Sequence, residues 1–162
     1  MAKRIRLLVV DDEVKFVTNL ARRLSLRDFA VESATSGEEA LLKARRQEFD
    51  LVLLDLRMPG LGGEEVLEIL KKDQPLTEVV ILTGHGSIES AVSCTKAGSY
   101  GYLQKPCELD ELLMALRDAY ERRIQRKYQL GKTELRERLG FALVGAPLQA
   151  LLRLRDADEK GL

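Results

Sequence analysis

A chain of 162 residues, 45% of them hydrophobic, can bury one packed core with an appendage and is not disordered throughout. Its 26 basic and 26 acidic residues cancel, which argues against a protein built to coat nucleic acid or an anionic membrane, although residues 121–162 carry 10 basic and 6 acidic residues and put a basic tail on an acidic body. Tryptophan is absent, aromatics are 5%, and the two cysteines have neither CxxC spacing nor a histidine cluster, so a base-stacking surface and a zinc or disulfide scaffold are excluded and a reduced, cytoplasmic chain is expected.

The first apolar run covers residues 5–10 and is broken only by Arg6. Asp11-Asp12 follows at once, so it reads as a strand and not as a secretion signal or membrane span. Val17, Leu20, Ala21 and Leu24 keep the spacing of one helix face. Residues 30–34 alternate, as an exposed edge strand does. Ser36 and Glu39 have capping-box spacing ahead of Ala40, Leu41 and Ala44. Residues 51–54 and 79–82 are continuous apolar runs, the mark of parallel strands buried on both faces. Between them a third helix is expected over about 63–73, stopped near Pro75. A fourth covers 87–96 and closes at Gly98. Residues 100–103 make a fifth strand, and Leu109, Leu112, Leu113 and Leu116 begin a fifth helix. Five strands alternating with five helices predict the α/β class: a three-layer α/β/α sandwich with right-handed crossovers around a parallel sheet.

Ligands in such sheets bind beyond the carboxyl ends of the strands. There the chain places Asp11-Asp12 after the first strand and Asp55 after the third. Thr83 with Gly84-His85-Gly86 follows the fourth, and Lys105-Pro106 the fifth. Three crowded carboxylates repel one another, which raises the pKa of at least one and invites a divalent cation. With oxygen donors alone, Mg²⁺ suits better than a transition metal. A cation beside a lysine and a hydroxyl forms a pocket for a phosphoryl group, and the central Asp55 can act as its nucleophile.

Taken together, Asp11-Asp12, the run 55–60 (Asp-Leu-Arg-Met-Pro-Gly), the run 82–86 (Leu-Thr-Gly-His-Gly) and the run 101–106 (Gly-Tyr-Leu-Gln-Lys-Pro) resemble the bacterial response-regulator receiver domain over about residues 4–122. The resemblance implies a flavodoxin-like five-stranded sheet of order 2-1-3-4-5. It implies phosphorylation of Asp55 by a sensor histidine kinase with Mg²⁺. Asp12 then resembles the direct metal ligand, Asp11 a neighbour acting largely through water, and the backbone carbonyl of Arg57 a third ligand. Lys105 is similar to the lysine that grips the phosphoryl oxygens, Thr83 to the switch hydroxyl, and Tyr102 to the aromatic that turns inward. Pro106 matches the proline of a cis Lys-Pro peptide. The face of the fourth helix, fifth strand and fifth helix would change, altering dimerisation or partner docking. Such a protein is a switch with its own acylation and hydrolysis chemistry, not a turnover enzyme.

Plainer roles stand beside these. Asp11 and Asp12 also suit the start of a helix, Tyr102 suits strand packing, His85 reads as a solvated bystander and Cys107 as packing. A receiver fold that binds without phosphate would lack an acid, the threonine or the lysine. A flavin or nucleotide binder would need a Ser/Thr/Gly loop where Asp11-Asp12-Glu13 stands, and an aspartyl phosphatase a second Asp at position 57. Gly131-Lys132-Thr133 imitates a phosphate loop, but Arg126 occupies the place of its leading glycine.

The expected domains are a receiver over 1–122 and a basic, partly helical tail over 123–162. The fifth helix is expected to pass Tyr120, Ile124 and Tyr128, with Arg122, Arg123, Arg126 and Lys127 as a solvated face and Gly131 weakening it. Residues 141–152 resemble the entry to the AAA+ ATPase domain of enhancer-binding transcriptional activators, and 147–154 suit one more short helix. The chain then is either a receiver with a linker or a free-standing receiver. No helix-turn-helix is recognisable, so direct contact with nucleic acid is not expected, nor is a membrane.

Overall fold

The structure is a computed structural model and describes residues 3–142, with side chains through residue 140. The expectations for 141–152 and 147–154 therefore lie outside the described side chains or the described residues. In chain order the elements are β1 (Ile5–Val10), α1 (Val14–Ser25), β2 (Phe29–Ala34), α2 (Gly37–Arg46), β3 (Leu51–Leu54), α3 (Gly63–Asp73), β4 (Glu78–Thr83), α4 (Ile88–Lys96), β5 (Gly101–Gln104) and α5 (Leu109–Ala142). The strands form one parallel sheet of order β2-β1-β3-β4-β5, as expected.

The unbroken apolar strands are explained by what covers each face. Leu8, Val10, Val52, Leu54, Val79 and Ile81 point to a core closed by Ala40, Leu41 and Ala44 of α2, Val66, Leu67 and Leu70 of α3, and Cys94 of α4. Leu7, Val9, Leu51, Leu53, Val80 and Leu82 point the other way, to Val17, Leu20 and Leu24 of α1 and Leu112, Leu113, Leu116 and Ala119 of α5. Side chains alternate between faces along a strand, so a strand greasy on both sides has to read as a continuous run. β2 has covered strands on one side only, and its burial alternates accordingly.

Local signals behave as their chemistry dictates. The Ser36 hydroxyl accepts from the Glu39 N–H at 3.1 Å, while the Glu39 carboxylate accepts from the N–H of Thr35 at 3.0 Å, one residue outside the reciprocal bond of a capping box. Ser87 and Ser90 make the full reciprocal pair at the start of α4. Gly98, at φ +103°, takes the left-handed turn that ends α4.

Two expectations are corrected. β4 is longer than the apolar run, because Glu78 and Thr83 are both inside it and fully buried. Glu78 is tolerated there because Arg122 donates to its Oε2 through Nε at 2.9 Å and through Nη2. Arg122 and Arg123 are thus not a solvated face. Arg122 is half-buried over the Tyr100 ring, and Arg123 is only 1% exposed. α5 passes through Gly131 and runs unbroken to Ala142. One glycine costs about 1 kcal/mol against alanine, and its neighbours Gln129, Leu130 and Lys132 are good helix formers. The contacts divide the chain at Ile124 and Gln125, within this helix.

Candidate functional site

Backbone ladders carry the site residues just past the strand ends. The Asp11 N–H donates to the Ala34 carbonyl (3.1 Å), the Asp55 N–H to Val10 (3.0 Å), and the Lys105 N–H to Thr83 (2.9 Å). Thr83 itself ends β4, paired in register with Gln104. Four chain segments distant in sequence are thereby held at one sheet edge by main-chain bonds, whatever their side chains.

Asp11, Asp12 and Asp55 converge there, each offering a carboxylate oxygen within 4.8 Å of the others. Asp11 and Asp55 are buried and Asp12 is exposed. Both Asp11 oxygens are engaged: Oδ1 accepts from the Glu13 N–H at 3.0 Å, and Oδ2 from Lys105 Nζ at 2.5 Å. Asp11 therefore does help to open α1, beside its place in the acid cluster. Asp55 Oδ1 is buried and has no hydrogen-bond partner. Burial pushes the Asp55 pKa above the ordinary carboxylate value; the Thr83 hydroxyl and the Lys105 charge oppose this, and the Asp11 charge adds to it.

The remaining candidates ring this cluster. Thr83 is fully buried, and its hydroxyl accepts from the His85 N–H at 3.1 Å. His85 is exposed, yet its Nδ1 lies 3.3 Å from Nη1 of the exposed Arg57, on the loop after β3. The Tyr102 hydroxyl lies 2.7 Å from Ser90 Oγ in the first turn of α4. The Lys105-Pro106 peptide is cis. Cys107 is half-buried beside Glu111, and its thiol pKa is raised by burial and then by that charge, so it packs and is not activated.

Three contributors carried no signal in the residue pattern. Phe16 lies with its ring centroid 4.1 Å from Lys105 Nζ, and Glu13 Oε1 lies 3.7 Å from it; helical periodicity ranks neither residue as functional. Gly63 begins α3 so close to Asp55 that a β-carbon there would lie 2.2 Å from the Asp55 carbonyl oxygen. A glycine beside Asp55 in the sequence would have been a clue, but Gly60, Gly62 and Gly63 all compete for it.

A buried, unpartnered Asp55 oxygen among oxygen donors, with an exposed Asp12 open to solvent, fits a hard divalent cation that keeps part of its water shell. With a lysine ammonium and a buried hydroxyl at the same edge, the arrangement can neutralise a multiply charged oxyanion next to a carboxylate nucleophile.

The family model for the response regulator receiver domain matches residues 7–117. Over 119 residues the chain is 40% identical to the transcriptional regulatory protein GlrR of Escherichia coli strain K12, covering 74% of this chain and 27% of that protein. It is 39% identical over 110 residues to the acid tolerance regulatory protein ActR of Rhizobium meliloti strain 1021, covering 68% of this chain and 57% of ActR. The chain thus spans between a quarter and rather more than half the length of these relatives. Among solved structures, a receiver domain from Clostridium thermocellum superposes with a TM-score of 0.70 at 34% identity, covering 78% of this chain and 98% of that one. The receiver domain of NtrX from Brucella abortus gives 0.67 at 36% identity, over 71% and 98%. Among the described residues, no helix is long and apolar enough to cross a membrane. Sheet order, edge chemistry and these likenesses agree, and the chain belongs to the response regulator receiver domain family of two-component signalling.

Proposed function

We propose that this receiver accepts a phosphoryl group on Asp55 from a sensor histidine kinase, with Mg²⁺ held by Asp12, Asp55 and the backbone carbonyl of Arg57, and by Asp11 largely through water. The observation that carries this reading is the pairing of a buried, unpartnered Asp55 oxygen with Lys105 and Thr83 at one edge. An Asp55 oxygen attacks phosphorus as the P–N bond to the donor imidazole breaks and the bonding pair returns to the ring. Later, water attacks the same phosphorus and releases inorganic phosphate, which restores the carboxylate. Mg²⁺, when bound, supplies the positive charge that lets carboxylates and phosphoryl oxygens share this space. Lys105 exchanges an Asp11 oxygen for a phosphoryl oxygen, and the Thr83 hydroxyl turns from the His85 N–H towards the new dianion.

As Thr83 moves, Tyr102 leaves Ser90 and turns inward, and the surface of α4, β5 and α5 changes. Moving such an equilibrium from about 1:99 to 99:1 takes roughly 5 kcal/mol of differential stabilisation, which a dianion held by a lysine and a metal can supply. The changed surface, with the basic helical tail that the sequence places after residue 122, controls a second copy of the chain or a downstream partner in the cytoplasm.

The test is mass spectrometry after incubation with acetyl phosphate, with and without Mg²⁺. One base-labile phosphate is expected, dependent on Mg²⁺ and lost in Asp55→Asn. Labelling that persists in that variant would assign the acceptor elsewhere.

A further inference from the structure

Lys105 extends from the loop after β5 and ends against α1, where three groups meet its ammonium. They are Asp11 Oδ2 at 2.5 Å, Glu13 Oε1 at 3.7 Å and the Phe16 ring, 4.1 Å to the centroid. The first two differ from the third in what they ask of the lysine. A carboxylate uses an N–H and neutralises the charge, so it competes with any incoming oxyanion. An aromatic face attracts the cation through its quadrupole, takes no hydrogen bond and brings no net charge. It therefore holds the lysine without competing for its bonds.

We propose that Phe16 is a positioning residue for Lys105: it keeps the ammonium at the mouth of the acid cluster while leaving its N–H groups for phosphoryl oxygens. This rests on the phosphoryl-acceptor reading above and deepens it. A lysine has a flexible four-carbon stem with much rotamer entropy to lose on ordering. When Asp11 gives up its bond, Phe16 is the uncharged neighbour that still limits where the ammonium goes. Phe16 suits the task because it is only partly buried, on the rim of the core under α1, and its neighbour Val17 supplies the buried contact at that turn. Its ring is therefore not required to fill the core.

Two measurements on the full chain test this. In the Mg²⁺-free protein the Lys105 ε-CH₂ protons should be shifted upfield by the ring current. The shift should persist in Phe16→Tyr and vanish in Phe16→Leu. In the presence of Mg²⁺ and acetyl phosphate, Phe16→Leu should slow labelling of Asp55 about threefold, the size of a modest cation–π contact, and Phe16→Tyr should label at the wild-type rate. Absence of the ring-current shift in the wild type, or equal labelling by wild type and Phe16→Leu, overturns the inference and leaves the acceptor reading intact. A wild-type chain that takes no phosphate on Asp55 overturns both.

Discussion

Arg123 Nε donates to Asp50 Oδ1 at 2.9 Å, at the opposite end of the sheet from the acid cluster. Asp50 is the residue just before β3, and its other oxygen accepts the Arg6 N–H of β1 at 2.8 Å. Arg123 Nη2 reaches Glu48 Oε1 at 2.9 Å as well. One guanidinium thus joins α5 to the start of two central strands. Removing one member of a buried ion pair leaves the other charge uncompensated, at about 3–5 kcal/mol. Arg123→Met, which keeps the volume, should therefore lower stability by about 3 kcal/mol in urea unfolding. Lys127→Met, at an exposed position of the same helix, should change it by less than about 0.5 kcal/mol.

Asp55 titrates higher in the folded chain than in the unfolded one, chiefly because it is buried. The folded state therefore holds this proton more tightly. The stability it contributes is complete below the unfolded carboxylate pKa and is lost as pH rises through the raised folded value. At neutral pH the charged carboxylate, with its Oδ1 buried and without a hydrogen bond, is a burden. Asp55→Asn should raise the thermal midpoint of the Mg²⁺-free protein at pH 7, by an amount equivalent to about 1 kcal/mol. That advantage should shrink on acidification towards pH 4. An unchanged or lowered midpoint at pH 7 would contradict the burial argument.

Magnesium should offset the same burden by binding. A ligand that binds only the folded state stabilises it by about 2.7 kcal/mol at a hundred times its dissociation constant. The thermal midpoint should rise saturably with Mg²⁺. Asp12→Ala removes the exposed member of the cluster without opening the core and should abolish most of the rise. Sodium at matched ionic strength should give none of it. A rise that survives Asp12→Ala would place the cation elsewhere.

Most of this geometry could be read from the residue order, because a parallel sheet converts strand ends into neighbours. Knowing that Asp11, Asp55, Thr83 and Lys105 each stand at or just past a strand end was enough to bring them to one edge. What could not be read was anything set by side-chain reach across the fold. Arg122 and Arg123 sit in a run of basic residues, and charge pattern alone makes such a run solvated; only the approach of α5 to Glu78 and Asp50 buries it. Phe16 occupies a helix position of no apparent note, and it meets Lys105 across 89 residues of chain. Gly131 shows the converse, a local weakness that the surrounding helix overrides.

Gly63 offers the sharpest local test of how Asp55, the proposed acceptor, is held. Its N–H donates to the Leu56 carbonyl at 2.9 Å, which draws the first turn of α3 against the backbone just past β3. A β-carbon at this position would stand 2.2 Å from the Asp55 carbonyl oxygen and 2.6 Å from the Leu56 Cα, both backbone atoms that cannot swing aside. Gly63→Ala must then push α3 outward or displace the Asp55 peptide. Overpacking of this kind costs about 1–3 kcal/mol. A displacement approaching 1 Å at a reacting group can slow its chemistry by as much as about a hundredfold. The expected result is a loss of about 2 kcal/mol in urea unfolding, together with at least a tenfold fall in Asp55 labelling by acetyl phosphate. Gly131→Ala is the matched control, because nothing lies within 4 Å of a β-carbon there. In that helix interior alanine should add up to about 1 kcal/mol and leave labelling unchanged. Wild-type labelling in a folded Gly63→Ala variant would show that the close approach of α3 has no part in placing Asp55.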